Sequence, residues 1–292
     1  MNQLPRLAAR SPLHRRATGP PGTFHPDPEG VSDVRLTAAV DPPSTRSLIV
    51  TAESGDGDPR PSRTSSCAQA AEYPQAMEPG ILARGPWAAD QVATRWREDR
   101  YEPAPDLAAQ ADAAIAALHD RGSPSHDGWA ARLAGYEAGA DGLTVELQPL
   151  RWALRLVGSD ALGSLSVLCA VRDADGRWLA GRRAAWVASW AGRWALGAGG
   201  AVEVGEDPVR ALARELEEEW SVVPERLSVE ALVCLPNRMA MLIGQAWLAE
   251  GAEVARDHEH DAHAWWPEDP ATWPGEAHEE LRRMALLLRR ER

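Results

Sequence analysis

Within the stretch GAVEVGEDPVRALARELEEEWSV (200–222), six consecutive residues from Arg214 to Glu219 carry four carboxylates and one guanidinium. Carboxylates this dense repel one another unless a cation offsets them. Helical spacing of about 100° per residue sorts them. Asp207 is a good N-cap and Pro208 fits the first helical position. Val209, Leu212, Ala213, Leu216 and Trp220 then form an apolar stripe. Glu215, Glu218 and Glu219 gather on another face, within an arc of roughly 100°. Glu217 points elsewhere, toward Arg210 and Arg214, with which it is expected to pair. A solvated face is the plain reading of such acids. Their position near a helix C-terminus argues against it, because the macrodipole there disfavours negative charge. Magnesium would reverse that penalty: it is small and hard, takes carboxylate and water oxygens, and is usually shared with substrate phosphates.

The elements that must position this helix read as follows. Upstream of it, SLSVLCAV (164–171) is a short apolar run of buried-strand type. Asp175-Gly176 gives a hairpin signal, and WLAGRR continues as a strand. A Trp-rich loop then leads to ALGAGG. After the acidic helix come two apolar strands, LSVEALVCL and MAMLIGQAWLA, a polar loop through HEHDAH, and a closing helix in GEAHEELRRMALLLRRER. Strands, helix, strands, helix imply a mixed sheet packed between helices. Farther upstream, WAADQVATRWRED has helical spacing. So does APDLAAQADAAIAALHDRG, with Leu107, Ala111, Ala114, Ile115 and Leu118 on one face and Gly122 as its stop. GWAARLAGYEA and GLTVELQPLRWALRL read as strands.

The chain has 292 residues, 44% of them hydrophobic, enough to bury a core. All 31 basic residues are arginine, which reflects a bias toward GC-rich codons more than function. The net charge of -12 makes nucleic acid and anionic membranes poor partners. Three cysteines without CxxC spacing, Cys67, Cys169 and Cys234, argue against a disulfide framework or zinc ribbon and suit a reducing cytoplasm. No apolar run reaches transmembrane length. Residues 1–76 are rich in Pro, Ser, Asp and Gly, as in GPPGTFHPDPEG. They cannot bury enough apolar surface to offset ordering entropy, and are expected to form a disordered tail, with a possible alternative translation start at Met77. Residues 77–160 are expected to form an N-terminal α+β extension and 161–292 the principal domain.

The spacing around the acidic helix resembles the Nudix box: a glycine, five residues, a glutamate, seven residues, then Arg-Glu-apolar-any-Glu-Glu-any-Gly-apolar. Gly200, Glu206, Arg214, Glu215, Leu216, Glu218, Glu219 and Val222 fill those positions, and only Ser221 departs, where the family has glycine. The resemblance implies an α/β/α sandwich with a mixed sheet. It also implies hydrolysis of a nucleoside diphosphate linked to another moiety. By position, Glu215, Glu218 and Glu219 would ligate Mg2+ or Mn2+, and Arg214 would orient the carboxylates. Gly200 and Glu206 would shape the loop and helix entry, and Arg182 and Arg183 would contact the diphosphate. Relatives often carry a further glutamate in a loop after the box, as a base or metal ligand; Glu259 sits in such a loop. If Ser221 must adopt positive φ, serine costs on the order of 1 kcal/mol there. Ala198 stands where many relatives place proline.

Other constellations compete. His258, His260 and His263 give HxHxxH, close to the zinc motif of metallo-β-lactamase-like hydrolases, but Ala262 replaces its aspartate and only His278 follows. A dinuclear zinc fold does not fit. Trp186, Trp190 and Trp194, in the loop before the box, are read mainly as packing residues. The order of HDGWAARL (126–133), LQPLRWALRL (147–156), the hairpin, the box and His258-Glu259 weakly resembles the UDP-glucose pyrophosphatase branch. That resemblance implies that Asp127 and Trp129 help form the pocket for a nucleotide sugar. A catalytically inactive Nudix-like nucleotide-binding regulator is the alternative, against which the complete set of box glutamates argues.

Overall fold

The computed structural model describes residues 77–158 and 160–289. The expected disordered tail, 1–76, lies outside the described residues. Among the described residues, two sheets are built from ten strands. The larger holds β1 (Gly80–Ala88), β8 (Arg226–Cys234), β9 (Ala240–Trp247), β5 (Leu165–Arg172), β6 (Trp178–Arg183) and β10 (His260–Trp266) in that order, with β7 (Trp194–Leu196) also on β6. β5 and β9 run parallel and the other pairs antiparallel, so the sheet is mixed. The smaller sheet has the order β2 (Val92–Trp96), β4 (Gly142–Arg151), β3 (Trp129–Gly139).

Period-two alternation in β5 decides the layers. Leu165, Val167, Cys169 and Val171 face one core with Leu212, Leu216 and Trp220 of α2 (Pro208–Trp220). Leu168 and Ala170 face the opposite core with Leu281, Ala285 and Leu288 of α3 (Glu279–Leu288). Helices thus cover both faces of the mixed sheet, giving the α/β/α sandwich. The smaller sheet joins the α2-side core through Ala131, Leu133, Val145 and Leu147. α1 (Pro105–Asp120) buries Ala111, Ile115 and Leu118 against the 3-10 turn Trp152–Leu156. Gly122 closes α1 at φ 80°, as a helix stop requires. No described helix is long and apolar enough to cross a membrane.

Three local expectations are corrected. WAADQVATRWRED is not helical: it holds the end of β1, a short 3-10 turn and β2. Val92, Thr94 and Trp96 face inward alternately, and pairing with β4 overrides the helical spacing. The strand read through LQPLRWALRL stops at Arg151, where the 3-10 turn begins. β10 starts at His260, inside the segment read as a polar loop. The stretch 77–160 also contributes β1 to the edge of the larger sheet, against β8.

Candidate active site

Asp207 caps α2, its Oδ1 accepting from the Val209 amide at 2.8 Å. Its other carboxylate oxygen accepts from Thr94 Oγ1 at 2.7 Å, and Trp96 Nε1 donates to the Glu206 carbonyl. β2 therefore braces the entry of the acidic helix. The buried arc of α2 is wider than an apolar stripe. Ala211 rather than Ala213 is fully buried, and Glu215 and Glu219 are buried with it, at 7% and 4% exposure. Glu217 and Glu218 are exposed. The helix lies against the loop 197–200 as well as the sheet, so its acidic face is partly covered.

Arg214 is the hub of this face. Its guanidinium donates to Glu206 Oε1 at 2.8 Å, to Glu215 Oε1 at 2.8 Å, to Glu218 Oε2 at 2.8 Å and to the Ala201 carbonyl at 3.1 Å. Donation to the Glu206 carboxylate is the first reason its pKa is raised. The expected pairing of Glu217 with Arg210 and Arg214 is corrected: Arg214 reaches Glu206, Glu215 and Glu218 instead. Gly200 lets this happen. A Cβ there would lie 2.2 Å from Glu215 Oε1. Burial raises the Glu215 pKa, opposed by Arg214.

Glu219 occupies the deepest position. One carboxylate oxygen accepts from the Gly199 amide at 3.3 Å, while Oε2 is buried with no hydrogen-bond partner among the described residues. Burial holds its carboxyl well above the ordinary carboxylate range, with Arg183 opposing. Arg183, 13% exposed, places Nη1 at 3.8 Å from Glu219 Oε1 and Nη2 at 3.0 Å from Glu259 Oε2. Strand register sets this: Arg183 lies opposite His260 across β6–β10. His260 Nδ1 lies 3.3 Å from Asp257 Oδ1, and its ring packs on Trp220. Its Nε2 is buried, unpartnered, and 3.8 Å from Glu219 Oε2. Burial first, then Arg183, lowers the His260 pKa, so the ring is neutral.

The sequence-predicted residues therefore divide. Gly200, Glu206, Arg214, Glu215, Glu218, Glu219, Arg183 and Glu259 are brought together. Arg182 is not: as the strand neighbour of Arg183 it projects to the other side and pairs with Asp261 at 2.6 Å. The three histidines of HxHxxH also diverge. His258 is exposed and stacks on Trp186, His260 is buried, and His263 lies beside Trp220. Asp127 and Trp129 do not line the pocket. Asp127 instead accepts from Arg151 Nε and from the Ala153 amide, and exposed Trp129 stacks under Arg100. Two residues were missed. His260 was read only as part of a zinc motif, and Arg155 was read only as part of a strand.

Among the described residues no group of three or more His, Cys, Asp or Glu side chains is drawn together closely enough to hold an ion. The donor chemistry nevertheless fits a hard divalent cation. The acids outnumber the arginines that pair with them, and Glu219 Oε2 is a buried carboxyl oxygen with no hydrogen-bond partner among the described residues.

Residues 164–288 match the family model of the NUDIX domain. No curated protein matches the chain. Solved structures similar to it include a MutT protein from Methanosarcina mazei Go1, 27% identical over 35% of this chain and 75% of that one, with a TM-score of 0.30. Another is the NUDIX domain of Shewanella oneidensis NrtR complexed with ADP ribose, 17% identical over 42% of this chain and 84% of that one, TM-score 0.36. A third is a C. elegans Ap4A hydrolase, 18% identical over 43% and 94%, TM-score 0.34.

Proposed function

We propose that the protein hydrolyses the diphosphate bond of a nucleoside diphosphate linked to another moiety, using Mg2+ or Mn2+ held by Glu215, Glu218 and Glu219. The observation that carries this reading is the buried, unpartnered Glu219 Oε2 beside two further carboxylates held by Arg214. A divalent cation, when bound, neutralises phosphoryl oxygens and acidifies water. The chain's own residues do the rest. Arg214 fixes the rotamers of Glu215 and Glu218. Arg183 offers a guanidinium to a non-bridging phosphate oxygen. Glu259 accepts the proton of the attacking water as its oxygen adds to phosphorus and the bridging P–O bond breaks. The products are a nucleoside monophosphate and a second phosphate ester.

A nucleotide sugar such as UDP-glucose is the narrower substrate reading, and it rests on the order of upstream sequence features alone. The test is to incubate the full-length protein with Mg2+ and a panel of nucleoside diphosphate derivatives, including UDP-sugars, ADP-ribose and dinucleoside polyphosphates, and to detect released monophosphates by phosphorus NMR. Product from at least one derivative is expected. Measurable binding with no product from any would replace this reading with that of a nucleotide-sensing regulator.

A further inference from the structure

A cavity of about 800 Å3 opens from the acidic site toward α3. Its walls are mainly apolar, with Val167, Leu168, Leu196, Met241, Ile243 and Met284 among them. Glu219, Arg183, Gly199 and Gly200 stand at its acidic end, and so does Arg155. Arg155 comes from the 3-10 turn Trp152–Leu156, ahead of the matched domain. The turn is held in place. Asp127 caps the Ala153 amide at 2.9 Å, and Ala153 and Leu154 are buried against α1. From it, Arg155 Nη2 donates to Ser166 Oγ at 2.7 Å. Ser166 is itself buried on β5, bridged to Ala201 next to Gly200. Trp152 lies under the guanidinium at 5.5 Å.

What distinguishes Arg155 from its neighbours is charge bookkeeping. Arg183 and Arg214 each already form ion pairs with carboxylates. Among the described residues Arg155 forms no ion pair; its one hydrogen-bonding side-chain partner is a neutral hydroxyl. A guanidinium on an apolar cavity wall with no carboxylate in hydrogen-bonding reach is costly to keep. Burial draws its pKa down, to about 10, with the Glu215 and Glu259 carboxylates opposing, which still leaves it charged at neutral pH. A cation with unused donors, fixed beside a site for phosphates, is what an anionic ligand completes.

We propose that Arg155 is a substrate-binding residue of this site: its free donors bind a phosphate oxygen of the diphosphate inside the cavity, with Ser166 fixing the fork's orientation. The assignment rests on the hydrolase reading above for the identity of the phosphate, but not for the anion site itself. The residue makes substrate capture depend on the segment ahead of the domain, because only the 3-10 turn delivers it.

The test uses the full-length protein and three variants, Arg155→Met, Arg155→Lys and Glu219→Gln. Inorganic pyrophosphate is titrated calorimetrically, and thermal unfolding of the ligand-free proteins is recorded. Arg155→Met should weaken pyrophosphate binding roughly ten- to hundredfold, as loss of a charge-assisted bond predicts. Arg155→Lys should fall between it and wild type. The ligand-free Tm of Arg155→Met should stay close to that of wild type, since only one hydrogen bond to a neutral hydroxyl is lost and no ion pair is broken. Binding within about twofold of wild type in Arg155→Met and Arg155→Lys overturns the assignment. So does a lowered Tm in both with equal binding losses, which marks a structural arginine. If Arg155→Met fails to fold, Arg155→Lys alone decides: intermediate binding at wild-type Tm supports the site. Turnover separates this from the hydrolase reading. Should wild type cleave no nucleoside diphosphate derivative while Arg155→Met still loses pyrophosphate, the anion site stands and the hydrolase reading falls. Should Glu219→Gln abolish turnover while the Arg155 variants keep wild-type KM, the reverse holds.

Discussion

Gly200 shows how single positions shape this site. The space its missing Cβ would fill is taken by the Glu215 carboxylate. Gly200→Ala should therefore push Glu215 off Arg214 and lower turnover at least about tenfold, since small misplacements cost that much in oriented sites; steady-state rates at unchanged Tm check this. Glu219 tests a different effect. Burial raises its pKa, so the folded state holds a proton that the unfolded state releases. In the metal-free protein, stability is then lost as pH rises from the ordinary carboxylate range through the raised value. Glu219→Gln removes that loss. In chelator, its Tm at neutral pH should match or exceed wild type and stay flatter across that window, while turnover with Mg2+ falls about a hundredfold or more. Glu217→Gln, on an exposed position outside the Arg214 network, should change turnover by less than about twofold. A large loss there would break the assignment of the acids to faces.

At the scale of the element, α2 is fixed at both ends by unlike devices. At its start Asp207 bonds the helix amide with one oxygen and Thr94 with the other, tying helix to β2. At its end Ser221 sits at φ 55° and ψ 37°, the left-handed conformation that favours glycine. Ser221→Gly should stabilise the protein by about 1 kcal/mol in urea unfolding, with activity unchanged, because the Cβ clash is relieved and no ligand atom is touched. Asp207→Ala should cost about 1 kcal/mol or more, as N-cap losses do. A destabilisation by Ser221→Gly would show that the serine hydroxyl contributes something its backbone geometry does not reveal.

Over the whole molecule, residues 77–160 are built into the sandwich. β1 pairs with β8, the smaller sheet shares the α2-side core, and β2 braces α2. A chain beginning at Met77 keeps every described contact and should show wild-type turnover and a cooperative thermal transition. A chain beginning at residue 161 strips one face of that core and should aggregate or lack near-UV circular dichroism. If the shorter chain folded and kept its KM, neither the shared core nor the Arg155 site would stand.

The acidic helix, its cap, its C-terminal serine and the order of strands were legible in the sequence because each depends on local spacing or backbone preference. Gly200, Glu206, Arg214 and the box glutamates follow from a pattern that one helix and one loop nearly complete by themselves. Contacts across the chain were not legible. Which of Arg182 and Arg183 faces the acids is set by strand register against β10, and a one-residue shift would exchange them. His260 becomes a neighbour of Glu219 only because Gly181 leaves space for its ring and that of Trp220. WAADQVATRW became strand because β4 was there to pair with it. Arg155 reaches the site from a turn whose direction is fixed by Asp127 and α1, neither of which is near it in sequence. Local spacing determined the acidic machinery; tertiary packing decided which cations face it, because burial and register belong to the assembled sheet and not to any segment alone.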